Sequence, residues 1–140
     1  MSYKLGIVGS RVFTSRSGQV WNKKITNPKQ FAFDELDKYV AKHGMPSKVF
    51  SGGARGADEY GEAWAKARGI ETQIFKPNQK LINMAGFKYA ANARNTDIVN
   101  SSDRIVAFWD RKSRGTADTL NKAFKQKKFS SNRDVIYIGD

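Results

Sequence analysis

Residues 48–58 join three features in order: a short β-favouring segment, a glycine-rich turn and the start of an amphipathic helix. Gly52, Gly53 and Gly56 can adopt a positive φ and let a ligand approach the backbone closely, because they carry no Cβ. The helix that follows begins with unpaired N–H groups and a partial positive charge, both of which favour an anion. This pattern predicts a βα unit with a phosphate-binding turn. The alternative interpretation is a tight structural turn without a ligand.

Two other short loops of small residues lie at the ends of predicted strands. They are Gly-Ile-Val-Gly-Ser-Arg at 6–11 and Ser-Arg-Gly-Thr at 113–116. Each of the three loops contains or adjoins an arginine, namely Arg11, Arg55 or Arg114. A turn that is only structural has no need of an arginine. The loops therefore predict one shared anion-binding site at the ends of three strands.

Strand-like and helix-like segments alternate along the chain. Strands are predicted at residues 4–8, 48–50, 72–75, 105–109 and 135–138, and helices at 28–43, 57–68, 84–99 and after Gly115-Thr116. The alternation predicts a single α/β domain over residues 1–140, with a Rossmann-like, mainly parallel five-stranded sheet and helices on both faces. The apolar run of the first strand places that strand at the centre of the sheet. Ligands of such sheets bind at the carboxyl ends of the strands.

Composition excludes several kinds of site and favours an anionic partner. The chain has no cysteine and one histidine, His43, which lies at a predicted helix C-terminus and is expected to be structural. Thiolate metal sites are therefore excluded, a Ser-His-Asp triad is not expected, and neither a metal nor a cofactor is expected. The net charge of +12 favours anionic ligands or a polyanionic partner, with a solvated basic surface as the alternative.

Hydropathy predicts a cytoplasmic protein without a membrane partner, because no apolar run reaches about 18 residues and no signal-peptide pattern is present. Residues 10–27 are predicted to form a long polar connection with Phe13 and Trp21 as apolar anchors. The one dense basic run, Lys125-Gln126-Lys127-Lys128, is typical of a helix C-terminus.

Arg94 and two aspartates are the charged residues with special positions. Arg94 recurs with Phe87 and Ile98 on an apolar helix face, and a buried arginine must be paired. Its partner is either an acid, Asp58 or Asp97, or a ligand. Asp58 lies in the first turn of a predicted helix, where it stabilises the dipole or bonds a ribose hydroxyl. Asp110 follows a predicted strand and is the carboxylate best placed for acid–base chemistry.

Four motifs carry a resemblance to a known superfamily: Gly-Ile-Val-Gly-Ser-Arg at 6–11, Ser-Gly-Gly-Ala-Arg-Gly-Ala-Asp at 51–58, Ala-Arg-Asn at 93–95 and Ala-Phe-Trp-Asp…Ser-Arg-Gly-Thr at 107–116. Together they resemble the SLOG superfamily, and the nearest branch is its YspA-like, YpsA-related group. This superfamily is related to the "lonely guy" phosphoribohydrolases and to the DNA-processing protein DprA. The resemblance implies a Rossmann-like fold that binds nucleotides or their derivatives.

The resemblance also implies roles for single residues. Arg94 matches an arginine that the phosphoribohydrolases use, and residues 111–119 match their Pro-Gly-Gly-x-Gly-Thr-x-x-Glu motif. Gly115 and Thr116 are retained, but Thr119 stands where the glutamate is needed, and Asp118 is displaced by about 100° around the helix. The standard phosphoribohydrolase mechanism is therefore not expected, and Asp110 and Asp118 are the candidate catalytic residues for any other reaction. The candidate nucleotide-binding residues are Gly9, Ser10, Arg11, Ser51, Gly52, Gly53, Arg55, Gly56, Asp58, Arg94, Asn95, Arg114, Gly115 and Thr116.

Three functions are compatible with these features. The favoured one is binding of a nucleotide or nucleotide derivative, as a sensor, carrier or sequestering module. One alternative is a hydrolase that cleaves an N-glycosidic or phosphate bond of a nucleotide, and the other is a DprA-like DNA-binding protein. Nucleic-acid binding is expected to be weak, non-specific and removed by salt. A homodimer is expected, because relatives self-associate and Phe13, Trp21 and Phe129 lie outside the predicted core stripes.

Overall fold

The computed structural model describes residues 2–11, 13, 25–129 and 134–139. Most of the predicted polar connection, including Trp21, lies outside the described residues. In chain order the elements are β1 (Lys4–Gly9), α1 (Pro28–His43), β2 (Lys48–Ser51), α2 (Ala57–Ala67), β3 (Glu71–Ile74), α3 (Gln79–Ala85), α4 (Phe87–Ser101), β4 (Arg104–Trp109), α5 (Arg114–Lys125) and β5 (Val135–Tyr137).

The five strands form one sheet in the order β3-β2-β1-β4-β5, and every neighbouring pair is parallel. The predicted α/β Rossmann-like fold and the central position of β1 are confirmed. Four consecutive residues of β1 are buried, and the same holds for β4, as expected for strands covered on both faces. The chain runs from β1 outward to β3 and then crosses back to β4. The switch point between β1 and β4 is the place where such sheets bind ligands.

Two hydrophobic layers cover the sheet. On one face, α1 and α2 contribute Leu36 and Trp64, which pack with Leu5 and Ile7 of β1. On the other face, α4 and α5 contribute Ile98 and Leu120. Helices on both faces are therefore confirmed.

Phe13 belongs to the first of these layers. Its side chain is fully buried and its ring stacks on Phe108 with 5.8 Å between the ring centroids. The prediction of an apolar anchor is confirmed for Phe13. Phe13 does lie outside the periodic stripes, but because it is buried it gives no support to a dimer. Sequence periodicity missed it because Phe13 lies in a connection and not on a helix or a strand.

The helix predicted over 84–99 corresponds to α4, but its start is misplaced, because a separate short helix, α3, precedes it and ends at Ala85. The side chain of Asn78 accepts hydrogen bonds from the N–H groups of Lys80 and Leu81 and so begins α3 before the predicted start. Gly86, with a φ of +96°, ends α3 through an N–H bond to the carbonyl of Ile82. Phe87, predicted on the apolar stripe, is 47% exposed at the start of α4.

The remaining helix ends follow the sequence signals. Asn27 caps α1 ahead of Pro28, and Gly44 ends it. His43 lies in the last turn of α1, where its Nδ1 is 2.8 Å from Nη1 of Arg104, consistent with the structural role expected for it. None of the helices formed by the described residues is long and apolar enough to cross a membrane.

Candidate functional site

A cavity of about 780 Å³ lies at the carboxyl ends of β1 and β4 and is walled by α4 and α5. Most of the predicted site residues line it, namely Gly9, Ser10, Arg11, Asp58, Arg94, Asn95, Asp110, Arg114, Gly115, Thr116 and Asp118. Ser51, Gly52, Gly53, Arg55 and Gly56 do not line it. The structure thus brings together the loops after β1 and β4, and it places most of the glycine turn after β2 outside the cavity.

Two N–H groups of the glycine turn, those of Gly53 and Ala54, already have acceptors within the protein. The carboxylate of Asp58 accepts a hydrogen bond from the N–H of Ala54 at 3.2 Å. The N–H of Gly53 donates to Oγ of Ser51 at 3.2 Å. A phosphate bound to this turn would have to displace these partners. The anion held by the turn in this structure is the side chain of Asp58.

Close packing explains the glycine at position 56. Gly56 has a φ of +81°, and a Cβ on it would lie 2.5 Å from the carbonyl oxygen of Ser10. Since only glycine fits there, the start of α2 approaches the loop after β1 closely enough for Asp58 to reach the cavity.

Arg94 is a residue of α4 and is only 8% exposed. Its side chain donates hydrogen bonds to two backbone carbonyls. Its Nη1 donates to Gly52 at 2.6 Å and to Phe75 at 3.4 Å, and its Nε donates to Oδ1 of Asn95 at 3.0 Å. A Cβ on Gly52 would lie 2.5 Å from Nη1, so the glycine makes room for the guanidinium. Neither of the acids expected as partners forms an ion pair with Arg94 among the described residues. Within the same part of the chain, Nη2 has no hydrogen-bond partner and is available to a ligand.

Asp58 is a buried acid with an unusual affinity for protons. Its side chain is almost fully buried, and this burial raises its pKa to about 7. The N–H of Ala54 and the charge of Arg94 oppose the rise, while the nearby Glu62 carboxylate adds to it. Asp58 therefore exchanges between its neutral and ionised forms near neutral pH. This makes it the cavity residue best suited to proton transfer.

The N-terminus of α5 forms one wall of the cavity. Ser113 caps the helix by accepting the N–H of Thr116 at 3.4 Å. The N–H groups of Arg114 and Gly115 have no acceptor among the described residues, as is usual in the first turn of a helix. Gly115 is exposed, and the space next to it is open. These amides, together with the positive end of the helix dipole, form a suitable place for a phosphate.

Asp110 shapes the loop that leads into α5. Its Oδ1 accepts the N–H groups of Lys112 at 2.9 Å and Ser113 at 2.8 Å. Burial alone would raise its pKa, but these bonds and one from the hydroxyl of Ser10 outweigh burial and hold the pKa below its ordinary value. Asp110 is therefore ionised at neutral pH and has no proton to donate.

Asn95 connects the two helices that wall the cavity. Besides accepting the Nε–H of Arg94, it donates from Nδ2 to the carbonyl of Gly115 and to Oδ2 of Asp118, both at 3.3 Å. Asp118 in turn pairs with Nζ of Lys122 at 2.7 Å. The orientation of the arginine is thus coupled to the start of α5.

The sequence model of the family described as "YspA, cpYpsA-related SLOG family" matches residues 9–81, which is more than half of the chain. The chain belongs to this SLOG family. Membership associates it with nucleotide-related binding or processing. No curated protein and no solved structure matches the chain.

The cavity of this SLOG protein extends beyond the matched segment. Residues 9–81 include the loop after β1 and the whole glycine turn, whereas Arg94, Asn95 and the N-terminus of α5 come later. Family membership therefore supports a site only for the part of the cavity formed by residues 9–81. The part formed by α4 and α5 is supported by the geometry of the structure alone.

Positive charge exceeds negative charge around the cavity of the SLOG protein. Among the described residues, five basic side chains line it, those of Arg11, Lys88, Arg94, Lys112 and Arg114. The acids that line it are Asp58, Asp110 and Asp118, of which Asp58 is only partly ionised near neutral pH. The cavity therefore favours an anionic ligand.

The sequence prediction missed several cavity residues, among them Lys88, Asn92, Lys112 and Ser113. Lys112 and Ser113 lie just past a strand end, so the rule that located Arg114 would also have found them. Lys88 and Asn92 had no such signal. Their place in the site depends on where α4 begins and how it packs, and the sequence misplaced that boundary.

Proposed function

We propose that this protein binds a nucleotide or nucleotide derivative in the cavity between α4 and α5, and acts as a sensor, carrier or sequestering module. The observation that carries the proposal is the meeting of the unpaired amides of α5 with Arg114 and Lys112 in a cavity of about 780 Å³. This volume lies within the usual range of about 300–1,000 Å³ for small-molecule sites. The continuous five-stranded sheet supports treating residues 1–140 as one nucleotide-binding domain.

The chemistry of the walls suggests an orientation for the ligand. The phosphate lies at the N-terminus of α5, where backbone amides and Arg114 donate hydrogen bonds to it. Arg94 reaches the ligand through Nη2. Asp58 accepts a hydrogen bond from a ribose hydroxyl when ionised, or donates one when neutral. The phosphate is therefore proposed at the N-terminus of α5, and not at the glycine turn where the sequence pattern predicted it.

A second candidate function is hydrolysis of the bound nucleotide. The observation that favours it is the carboxyl of Asp58, which lines the cavity with a pKa of about 7 and so suits a general acid or base. Of the two candidates drawn from the sequence, Asp110 is held ionised by the loop, and Asp118 is bonded to Lys122 and Asn95. Asp58 is therefore the residue to test for catalysis.

Calorimetry with the common nucleoside mono- and diphosphates tests the binding proposal. We expect Arg114→Ala to weaken binding of the best ligand about tenfold or more, because it removes a charged hydrogen bond to phosphate. Lys125→Ala removes the same charge from the far end of α5 and should bind as the wild type does. If Gly53→Asp abolishes binding and Arg114→Ala does not, the anion lies at the glycine turn and the proposed orientation is wrong.

The same mixtures distinguish the binding module from the enzyme. Chromatography after incubation would show free base or free phosphate if the protein is a hydrolase. Asp58→Asn should then stop product formation and leave binding in place. Tight binding without any product supports the binding module.

A further inference from the structure

The cavity contains a surface that phosphate binding does not use. Phe87, the first residue of α4, is the aromatic residue that lines the cavity within the described part of the chain, and it is 47% exposed. The apolar residues Val8, Ala91 and Ile98 line the cavity as well. An anion is held by the amides and the basic side chains, so these apolar groups are available to a different part of the ligand.

Two neighbours fix the position of the Phe87 ring. Gly86 ends α3 and turns the chain directly into α4, so Phe87 begins the helix at the cavity. The guanidinium of Arg11 lies 5.1 Å from the ring centroid, in cation–π contact. The backbone of Arg11 is itself closely packed, because a Cβ on Gly56 would lie 2.8 Å from its carbonyl oxygen. The ring is therefore held between the loop after β1 and the start of α4.

The distance between the ring and the start of α5 suits a nucleotide. Asn95 of α4 donates to the carbonyl of Gly115, in the first turn of α5, at 3.3 Å. Phe87 precedes Asn95 by eight residues. At a rise of about 1.5 Å per residue, this places Phe87 about 12 Å further toward the N-terminal end of α4. A phosphate with only a pentose attached is too short to reach the ring from α5, whereas a base attached to the pentose reaches it.

We propose that the base of the bound nucleotide stacks on Phe87, and that tight binding therefore requires an aromatic base. The inference rests on the proposed function, because it takes the phosphate to lie at the N-terminus of α5. A flat base covers the exposed ring, and the planar guanidinium of Arg11 can stack beside it. Stacking accepts every base but strengthens with the area of the base, so purine nucleotides bind more tightly than pyrimidine nucleotides.

Competition calorimetry with ribose 5-phosphate and with the 5′-monophosphates of adenosine, guanosine, cytidine and uridine tests the inference. We expect the wild type to bind the purine monophosphates about tenfold or more tighter than ribose 5-phosphate, because a stacked base contributes a factor of this size. Phe87→Ala should remove this advantage and leave the affinity for ribose 5-phosphate unchanged. Phe87→Tyr keeps an aromatic ring and should keep the advantage.

Tyr89→Ala is the matched control. It removes another exposed aromatic ring from the same helix, but Tyr89 does not line the cavity. All four nucleotides should therefore bind Tyr89→Ala as tightly as they bind the wild type.

The failure of the inference and the failure of the proposed function give different results. If Phe87→Ala binds the nucleotides as tightly as the wild type does, or weakens ribose 5-phosphate by the same factor, the inference is wrong and the proposed function stands. Equal binding of ribose 5-phosphate and the nucleotides to the wild type would also overturn the inference. If none of the nucleotides binds, the proposed function is wrong and the inference falls with it.

Discussion

Asp58 occupies the turn that the sequence marked for an external anion. Its carboxylate accepts the N–H of Ala54, a donor that a phosphate bound at this turn would use. Burial makes the ionised form costly, and so the group retains its proton to a higher pH than an exposed aspartate does.

This retention makes the stability of the protein depend on pH. Below about pH 4, Asp58 is protonated in both the folded and the unfolded chain. Between pH 4 and pH 7 the unfolded chain loses this proton while the folded chain keeps it, so the contribution of Asp58 to the free energy of unfolding falls as pH rises. Above pH 7 both forms are ionised and the contribution levels off.

We therefore expect Asp58→Asn to be more stable relative to the wild type at pH 7.5 than at pH 4.5. Asparagine keeps an oxygen to accept the N–H of Ala54 and has no charge to bury. Urea unfolding of both proteins across this range measures the difference. Asp97→Asn, which removes an exposed carboxylate of α4, is the matched control for the change in charge, and a constant difference at Asp58 would contradict the prediction.

At the scale of elements, the packing of α2 against β1 decides whether the site forms. A Cβ on Gly61 would lie 2.6 Å from Cγ2 of Ile7, so the helix approaches the strand through a glycine. The same approach carries Gly56 and Asp58 to the loop after β1.

Gly61→Ala should lower the free energy of unfolding by about 1–2 kcal/mol. The extra methyl overpacks the contact at a cost of about 1–3 kcal/mol, and the better helix propensity of alanine offsets up to about 1 kcal/mol. Gly115→Ala, also in a helix but facing open space, should leave stability unchanged or raise it slightly. Chemical denaturation checks both, and equal effects of the two substitutions would refute close packing at Gly61.

The sequence predicted most of the elements because their signals are local. Pro28 and Gly44 mark the ends of α1, and the apolar run in β1 marks a central strand. The break at Gly86 was missed because the apolar periodicity continues across it, while Asn78 starts a helix earlier than the pattern suggests. In the site, strand-end rules found the loops after β1 and β4. They could not reveal that Asp58 fills the glycine turn, which depends on how α2 packs.

At the scale of the whole molecule, self-association remains a prediction, and its support has changed. Phe13 is buried in the core and therefore cannot contribute to a dimer interface. Phe129 instead lines an apolar groove of about 210 Å³ between α5 and β5, together with Phe124 and Tyr137. Phe124 is 66% exposed, and apolar surface beside an edge strand favours contact with another chain.

We expect light scattering to give the mass of two chains, and Phe124→Glu to give one. A charge in the groove would be buried without a partner if the dimer formed there. Met84→Glu is the matched control, because Met84 is 83% exposed on α3, away from the groove. A wild type with the mass of a single chain would contradict the dimer, and a dimeric Phe124→Glu would contradict its position.

Arg94 holds the carbonyls of Gly52 and Phe75, which lie at the ends of β2 and of the edge strand β3. A ligand that drew the guanidinium toward the cavity would weaken both of these hydrogen bonds. Ligand binding in the cavity would then change the geometry at the edge of the sheet. An open strand edge is also where another polypeptide can add a strand. Through Arg94, the state of the cavity and the geometry of this edge would therefore depend on each other.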